Sequence, residues 1–198
     1  MSQTEYQIKP GNITSNSEET SSISKVSYEI ENANNNGLKT GKIKKQINNL
    51  KRDNKFPKNL EYVDSFTDPN TGTTTTAFKN KDTGKVTLGM TGTNVHLEAM
   101  GNVLEHPFNH SNQDEKDMKE MLKDFGADAN IGLGAVTDKD PHFKDTQDFI
   151  KDIKKEYEID TITGHSLGGR DAVILGVSND IKNIVVYNPA PLSIKDFV

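Results

Sequence analysis

The chain has 198 residues, which is enough for one domain with a hydrophobic core. Its formal net charge of −5 gives no general attraction to nucleic acid or to an anionic membrane, and the absence of cysteine excludes disulfides and thiolate metal sites. Only 32% of the residues are hydrophobic, so the core must be concentrated in part of the chain.

Residues 1–36 are rich in Ser, Thr, Asn and Glu and carry few large apolar side chains. Such a segment buries too little surface to offset the entropy lost on ordering, so we predict a disordered polar arm over residues 1–36. This segment lacks the apolar stretch of a secretory signal, and no run in the chain reaches the roughly 18 apolar residues of a spanning helix. We therefore expect no transmembrane segment.

The pattern becomes helical over residues 38–52, where Ile43, Ile47 and Leu50 share one face and basic residues surround them. We expect this thin apolar stripe to pack on the domain. The alternative is a basic surface that meets an acidic partner or lipid headgroups.

Residues 60–91 are predicted to form a hairpin or meander. Turn-forming sequences at 68–72 and 80–84 separate three stretches that suit strands. The third stretch alternates apolar and polar residues and delivers the chain to Thr93. Helices are predicted at about 112–125 and 142–157, with a short strand-like element between them, and no phosphate-binding glycine pattern occurs there.

The last part of the chain alternates strand and helix. A strand is predicted at 159–164, a helix at about 167–178 and a further strand at 183–188. Helix–strand–helix–strand order with apolar strands predicts a parallel sheet that is covered on both faces.

The most specific motif lies between strand and helix: Gly164-His165-Ser166-Leu167-Gly168. Gly-x-Ser-x-Gly in that position is the nucleophile elbow of a serine hydrolase, and it predicts Ser166 as the nucleophile. The two glycines let strand and helix approach closely, and the Leu167 N–H can donate to an oxyanion. His165 belongs to the elbow, but its backbone position points it away from the nucleophile, so we do not expect it to be the base. A purely structural serine is the alternative.

The sequence from Thr163 to Gly169 resembles the elbow of the class 3, fungal-type lipases, a branch of the α/β hydrolases. Residues 86–93 are similar to the strand that ends in that family's Arg-Gly-Thr turn, and residues 186–191 resemble the strand after the elbow. The resemblance implies a mostly parallel α/β-hydrolase sheet with helices on both faces over residues 37–198. It also implies Thr93 as the second oxyanion-hole residue. Thr91 departs from the family, which usually has arginine at that position.

The family resemblance also implies an aspartate and then a histidine after the serine, yet no histidine follows Ser166. We therefore expect this chain to be the N-terminal portion of such a domain, truncated at the C-terminus. The alternative is a different chain order in which an earlier histidine is the base. The earlier histidines are His96, His106, His110 and His142.

The sequence therefore predicts a lipase- or esterase-type serine hydrolase that cleaves carboxylic esters of lipids through an acyl-serine intermediate, incomplete in this chain. The alternative is a non-catalytic or partner-dependent hydrolase scaffold that acts in binding. We expect no cofactor, no metal and no nucleic acid. The polar arm and the lack of a signal also resemble bacterial lipase effectors exported by type VII secretion. That resemblance implies an accessory, export or immunity protein as partner, and leaves the compartment open between the cytoplasm and a non-Sec export route.

Overall fold

The computed structural model describes residues 5–92 and 143–189. Within these ranges the helices and strands follow one another as α1 (Glu19–Asn35), α2 (Thr40–Arg52), β1 (Leu60–Thr67), β2 (Thr74–Asn80), β3 (Val86–Met90), α3 (Lys144–Glu156), β4 (Ile159–His165), α4 (Leu167–Ser178) and β5 (Asn183–Tyr187). The elements predicted over 38–52, 60–91 and 142–188 are confirmed to within a few residues. The helix predicted at 112–125 and the strand-like element after it lie outside the described residues.

The five described strands form one mixed sheet in the order β1-β2-β3-β4-β5. The pairs β1–β2 and β2–β3 are antiparallel, whereas β3–β4 and β4–β5 are parallel. The expectation of a mostly parallel sheet is therefore right for β3 to β5 and wrong for β1 and β2. Short turns join β1, β2 and β3, and a parallel connection would need a crossover of about a dozen residues or more.

Helices cover both faces of the sheet, as predicted. On one face β3 and β4 pack with α3 and α4, around Leu88, Ile162 and Leu175. On the other face α1 and α2 pack over β1 and β2, around Ile30 and Phe78. Alternate strand residues point to opposite faces, so β1 and β2 contribute to both hydrophobic clusters, whereas the apolar residues of β3, β4 and β5 belong to the first cluster.

The prediction of a disordered arm is wrong for residues 5–36. They form α1 and the segment before it, in which Ile8 and Ile13 are buried. The helix buries one apolar stripe against the sheet, consisting of Ile23, Val26, Ile30 and Ala33. The spacing of three and four residues places these side chains on one helical face, which an average over a serine-rich segment conceals.

Small residues let α1 lie close to the sheet. A Cβ atom at Gly89 of β3 would come within 2.4 Å of Ser27 Oγ and 2.8 Å of an Ile23 methyl carbon. The Ser27 hydroxyl is 2.7 Å from the Thr76 hydroxyl of β2, and it also donates to the carbonyl oxygen of Ile23. The serines that lower the mean hydropathy of this segment thus form part of its packing surface.

Candidate active site

Ser166 occupies the sharp turn between β4 and α4. Its backbone has φ 54° and ψ −121°, a conformation that favours glycine and is strained for serine. The Ser166 N–H donates to the Tyr187 carbonyl oxygen at 3.1 Å, and its own carbonyl oxygen accepts from the Arg170 N–H at 3.2 Å. Bonds to β5 and to α4 therefore hold a strained serine at the carboxyl end of β4.

The glycines on either side of Ser166 are required by close backbone contacts. A Cβ atom at Gly164 would lie 2.3 Å from the Gly168 carbonyl oxygen. A Cβ atom at Gly168 would lie 2.2 Å from the Met90 carbonyl oxygen at the end of β3. Both distances are too short for any side chain, so the Gly-x-Ser-x-Gly spacing follows from how β3, β4 and α4 meet.

The first residue of α4, Leu167, carries an N–H that has no acceptor within the helix. The first turn of α4 contains no acidic residue, so no carboxylate there opposes the positive end of the helix dipole. The end of β3 lies directly against this turn. At Gly92 (φ 84°) a Cβ atom would be 2.4 Å from the Gly168 nitrogen. Thr93, the predicted second donor, lies outside the described residues.

His165 is buried beside Ser166, with 6% of its surface exposed. Its ring is 6.4 Å from the Tyr28 ring in an edge-to-face arrangement. Burial lowers the pKa of His165 to about 4, so the imidazole is neutral at pH 7. Because a general base works best with a pKa near the working pH, this environment makes His165 a poor base.

Two residues of α1 that sequence reasoning did not identify contact the site. The Tyr28 hydroxyl donates to the His165 carbonyl oxygen at 3.1 Å. Glu31, which is 2% exposed, accepts from the Thr91 hydroxyl at 2.5 Å. Burial raises the pKa of Tyr28 above its usual value, and the charges of Glu31 and Asp171 add to that rise. Tyr28 and Glu31 are three residues apart, so they lie on one face of α1. This spacing points to the site only once α1 is recognised as a helix.

Only some of the other residues that could complete a catalytic triad lie in the described ranges. His165 is the only histidine in the two described ranges. Asp171 lies in α4 and is 4% exposed, and Asp180, with φ 54°, lies in the turn between α4 and β5. Asp196 and the four earlier histidines lie outside the described residues. The described part of the site thus consists of the elbow, the Leu167 N–H and the end of β3.

The cavity found in the described part of the chain is remote from Ser166. It has a volume of about 450 Å³ and lies at the opposite end of the sheet, against Thr87 and Asp160 and the start of α1. Over residues 5–92 and 143–189, no three His, Asp or Glu side chains are grouped so that they could hold a metal ion. No helix in the same ranges is long and apolar enough to cross a membrane.

Comparison with known proteins gives limited similarity. No protein-family model matches the chain, and neither does any curated protein. Lipase II from Rhizopus niveus superimposes with a TM-score of 0.35 at 18% identity, over 81% of this chain and 52% of that one. Lip2 lipase from Yarrowia lipolytica gives a TM-score of 0.31 at 14% identity, over 71% of this chain and 58% of that one.

The chain thus spans only about half the length of the fungal lipases that it matches. Similarity at this level assigns neither a family nor an activity. These comparisons contain nothing that supports the resemblance to type VII effectors. The assignment of Ser166 as candidate nucleophile therefore depends on the geometry of the turn in which it lies.

Proposed function

We propose that this protein is a serine hydrolase of the lipase or esterase type, which cleaves carboxylic esters of lipids through an acyl-Ser166 intermediate. The observation that carries the proposal is the strained backbone of Ser166 at a strand-to-helix turn, where backbone contacts leave room only for glycine at 164 and 168. Strain at a single polar residue, maintained by its surroundings, is typical of functional sites.

In the proposed reaction the Ser166 hydroxyl oxygen attacks the ester carbonyl carbon while a base accepts its proton. The carbonyl oxygen becomes an oxyanion, and the Leu167 N–H donates to it. The intermediate then collapses, the alcohol leaves with the proton held by the base, and the acyl group remains on Ser166. Water hydrolyses this acyl-serine by the same steps and regenerates the hydroxyl.

Helix α4 and the end of β3 would supply the oxyanion hole. The positive end of the α4 dipole lies at Ser166, where negative charge develops. Thr93 directly follows Gly92, the residue that abuts Gly168, and we propose its N–H as the second donor. Two donors on separate elements would bind the tetrahedral oxyanion better than the planar carbonyl.

The base is proposed to be a histidine outside the described residues, oriented by a carboxylate. It is either one of the four histidines that precede Ser166 or one supplied by a further segment or a second chain. Residues 37–198 would then form part of a class 3 lipase-like domain, together with α1, which packs on its sheet. The lipid ester is assigned as substrate because of the elbow sequence and its resemblance to class 3 lipases.

The proposal is tested with a fluorophosphonate probe applied to the full chain, with and without added imidazole. We expect labelling of the wild type and of Ser178→Ala, a control in the same helix, and no labelling of Ser166→Ala. Labelling that requires imidazole would indicate a competent nucleophile without its own base. A folded wild type that stays unlabelled in both conditions would contradict the proposal and favour a binding scaffold.

A further inference from the structure

We infer that α1 positions the oxyanion hole, with Glu31 acting as a positioning residue through Thr91. This inference rests on the proposed role of Ser166. It concerns a contact between α1, which covers the sheet face opposite α3 and α4, and Thr91, the residue that follows β3.

Thr91 directly follows β3 and contacts α1. Its hydroxyl donates to Glu31 Oε2 at 2.5 Å and accepts from the Thr74 N–H at 2.9 Å. Its backbone N–H donates to the Thr74 carbonyl oxygen at 3.1 Å. Thr91 and Glu31 are both buried, so water does not compete for these bonds. Thr91, the residue that follows β3, is therefore fixed both to β2 and to α1.

Thr91 and Gly92 lie directly against the backbone of the elbow. A Cβ atom at Gly168 would lie 2.8 Å from the Thr91 carbonyl carbon, and one at Gly92 would lie 2.6 Å from the Leu167 carbonyl carbon. Backbone atoms are in contact on both sides, with no flexible side chain between them. A shift of Thr91 must therefore change the spacing between Gly92 and the Leu167 N–H. A misplacement of about 1 Å in a catalytic group can lower the rate by about 100-fold, so such a shift would weaken oxyanion binding.

A buried glutamate is a costly way to fill space between a helix and a sheet, because desolvation of a carboxylate is unfavourable. The short bond of 2.5 Å between the Thr91 hydroxyl and Glu31 Oε2 therefore fixes Thr91 at the strand end that faces the elbow. Tyr28, one turn earlier, makes a second contact between α1 and the site by donating to the carbonyl oxygen of His165 at the end of β4.

The first test uses the absence of cysteine from the chain. Ser166→Cys introduces a single thiol, and the pH dependence of its alkylation by iodoacetamide gives the thiol pKa, which falls where N–H donors and a helix terminus stabilise the thiolate. Glu31→Ala and Glu31→Gln are then compared in this background. Both remove the carboxyl group, but only glutamine keeps an acceptor oxygen for the Thr91 hydroxyl.

We expect a higher thiol pKa in the Glu31→Ala variant than in Glu31→Gln, with alkylation below the pKa slower by about tenfold. The control is Ser27→Ala, which removes a bond between α1 and the middle of β2 and should leave the thiol pKa unchanged. Equal thiol pKa values in the Ala and Gln variants would overturn the inference.

The second test measures phosphonylation of Ser166 in the unmodified background. Glu31→Ala should lower the first-order inactivation constant about tenfold without weakening initial probe binding, and Glu31→Gln should restore most of the rate. If Glu31→Ala does not fold, as judged by circular dichroism, Thr91→Val and Thr91→Ser give the same comparison from the donor side. Equal rates within each pair would also overturn the inference. An unlabelled wild type would remove the proposed function, whereas the thiol comparison would still decide the role of Glu31.

Discussion

The Tyr28 hydroxyl in α1 donates a hydrogen bond of 3.1 Å to the carbonyl oxygen of His165, the residue before Ser166. A residue near the N-terminus thus contacts the elbow directly. The bond is made on the sheet face that α1 covers. The Tyr28 and His165 rings also meet edge to face. Helix α1 is therefore part of the structure around the candidate nucleophile rather than an appendage to it.

Tyr28→Phe should lower the free energy of unfolding by about 1 kcal/mol, because it keeps the ring and leaves the His165 carbonyl oxygen without this donor. Urea denaturation followed by circular dichroism measures the change. The matched control is Tyr157→Phe, since the Tyr157 hydroxyl makes no hydrogen bond in the described part of the chain and its ring contact with Lys79 is retained. Equal effects of the two substitutions would argue against the contact.

Ser166→Gly should be more stable than Ser166→Ala by about 1 kcal/mol or more. The backbone conformation at Ser166 costs an L-residue on the order of 1–3 kcal/mol, and alanine keeps that cost whereas glycine removes most of it. Thermal unfolding of the two variants gives the comparison. Both variants lack the hydroxyl, and the unfolded-state entropy of glycine favours the alanine variant, so a more stable glycine variant indicates strain at this turn. A more stable alanine variant would be incompatible with the strained turn.

Gly168→Ala should destabilise the protein by about 3 kcal/mol or more, because the new methyl group would meet the Met90 carbonyl oxygen and neither backbone segment can move freely. Gly41→Ala in α2 is the matched control. A Cβ atom there meets nothing within 4 Å, so we expect a gain of up to about 1 kcal/mol. Denaturant midpoints measure both, and a neutral Gly168→Ala would mean that β3 and α4 are further apart than described.

The stability of the protein should fall as the pH is lowered through the range in which His165 titrates. A histidine has a pKa of about 6.5 in an unfolded chain, whereas burial lowers the pKa of His165 to about 4 in the folded protein. Between these two pKa values the unfolded state binds a proton that the folded state does not. Protonation therefore lowers the free energy of the unfolded state, and the free energy of unfolding decreases. We expect a loss of about 2 kcal/mol between about pH 7.5 and about pH 5, mostly above the range of the carboxyl groups.

The matched variant for this measurement is His165→Gln, which cannot be protonated. The difference in unfolding free energy between wild type and variant should narrow, or change sign, as the pH falls. Parallel pH profiles would show that His165 is accessible to protons in the folded protein.

The strand-to-helix turn at Ser166 could be predicted from sequence because its determinants are local. Gly164, Ser166 and Gly168 lie within five residues, and the apolar strand and helix on either side have distinct periodicities. The β1–β2–β3 meander was predictable for the same reason, since its turns carry their own sequence signals. The same short turns make β1, β2 and β3 antiparallel, so the sheet is mixed, whereas the family resemblance implied a mostly parallel one.

Helix α1 was missed because composition averages over position. Its four buried apolar residues occupy one helical face, and the serines among them allow the close approach to Gly89. The roles inferred for Tyr28 and Glu31 could not be predicted, because their partners are 137 and 60 residues away in sequence. Such contacts depend on how the helix packs across the sheet.

The most direct test of the account is to trap the acyl-enzyme. The protein is mixed with p-nitrophenyl butyrate, quenched in acid within the first turnover and digested, and the peptides are analysed by mass spectrometry. We expect a butyryl group on the peptide that contains Ser166, located on Ser166 itself by fragmentation, and none in Ser166→Ala. Nitrophenol release with the acyl group on another residue, or a folded protein that is never acylated, would contradict it.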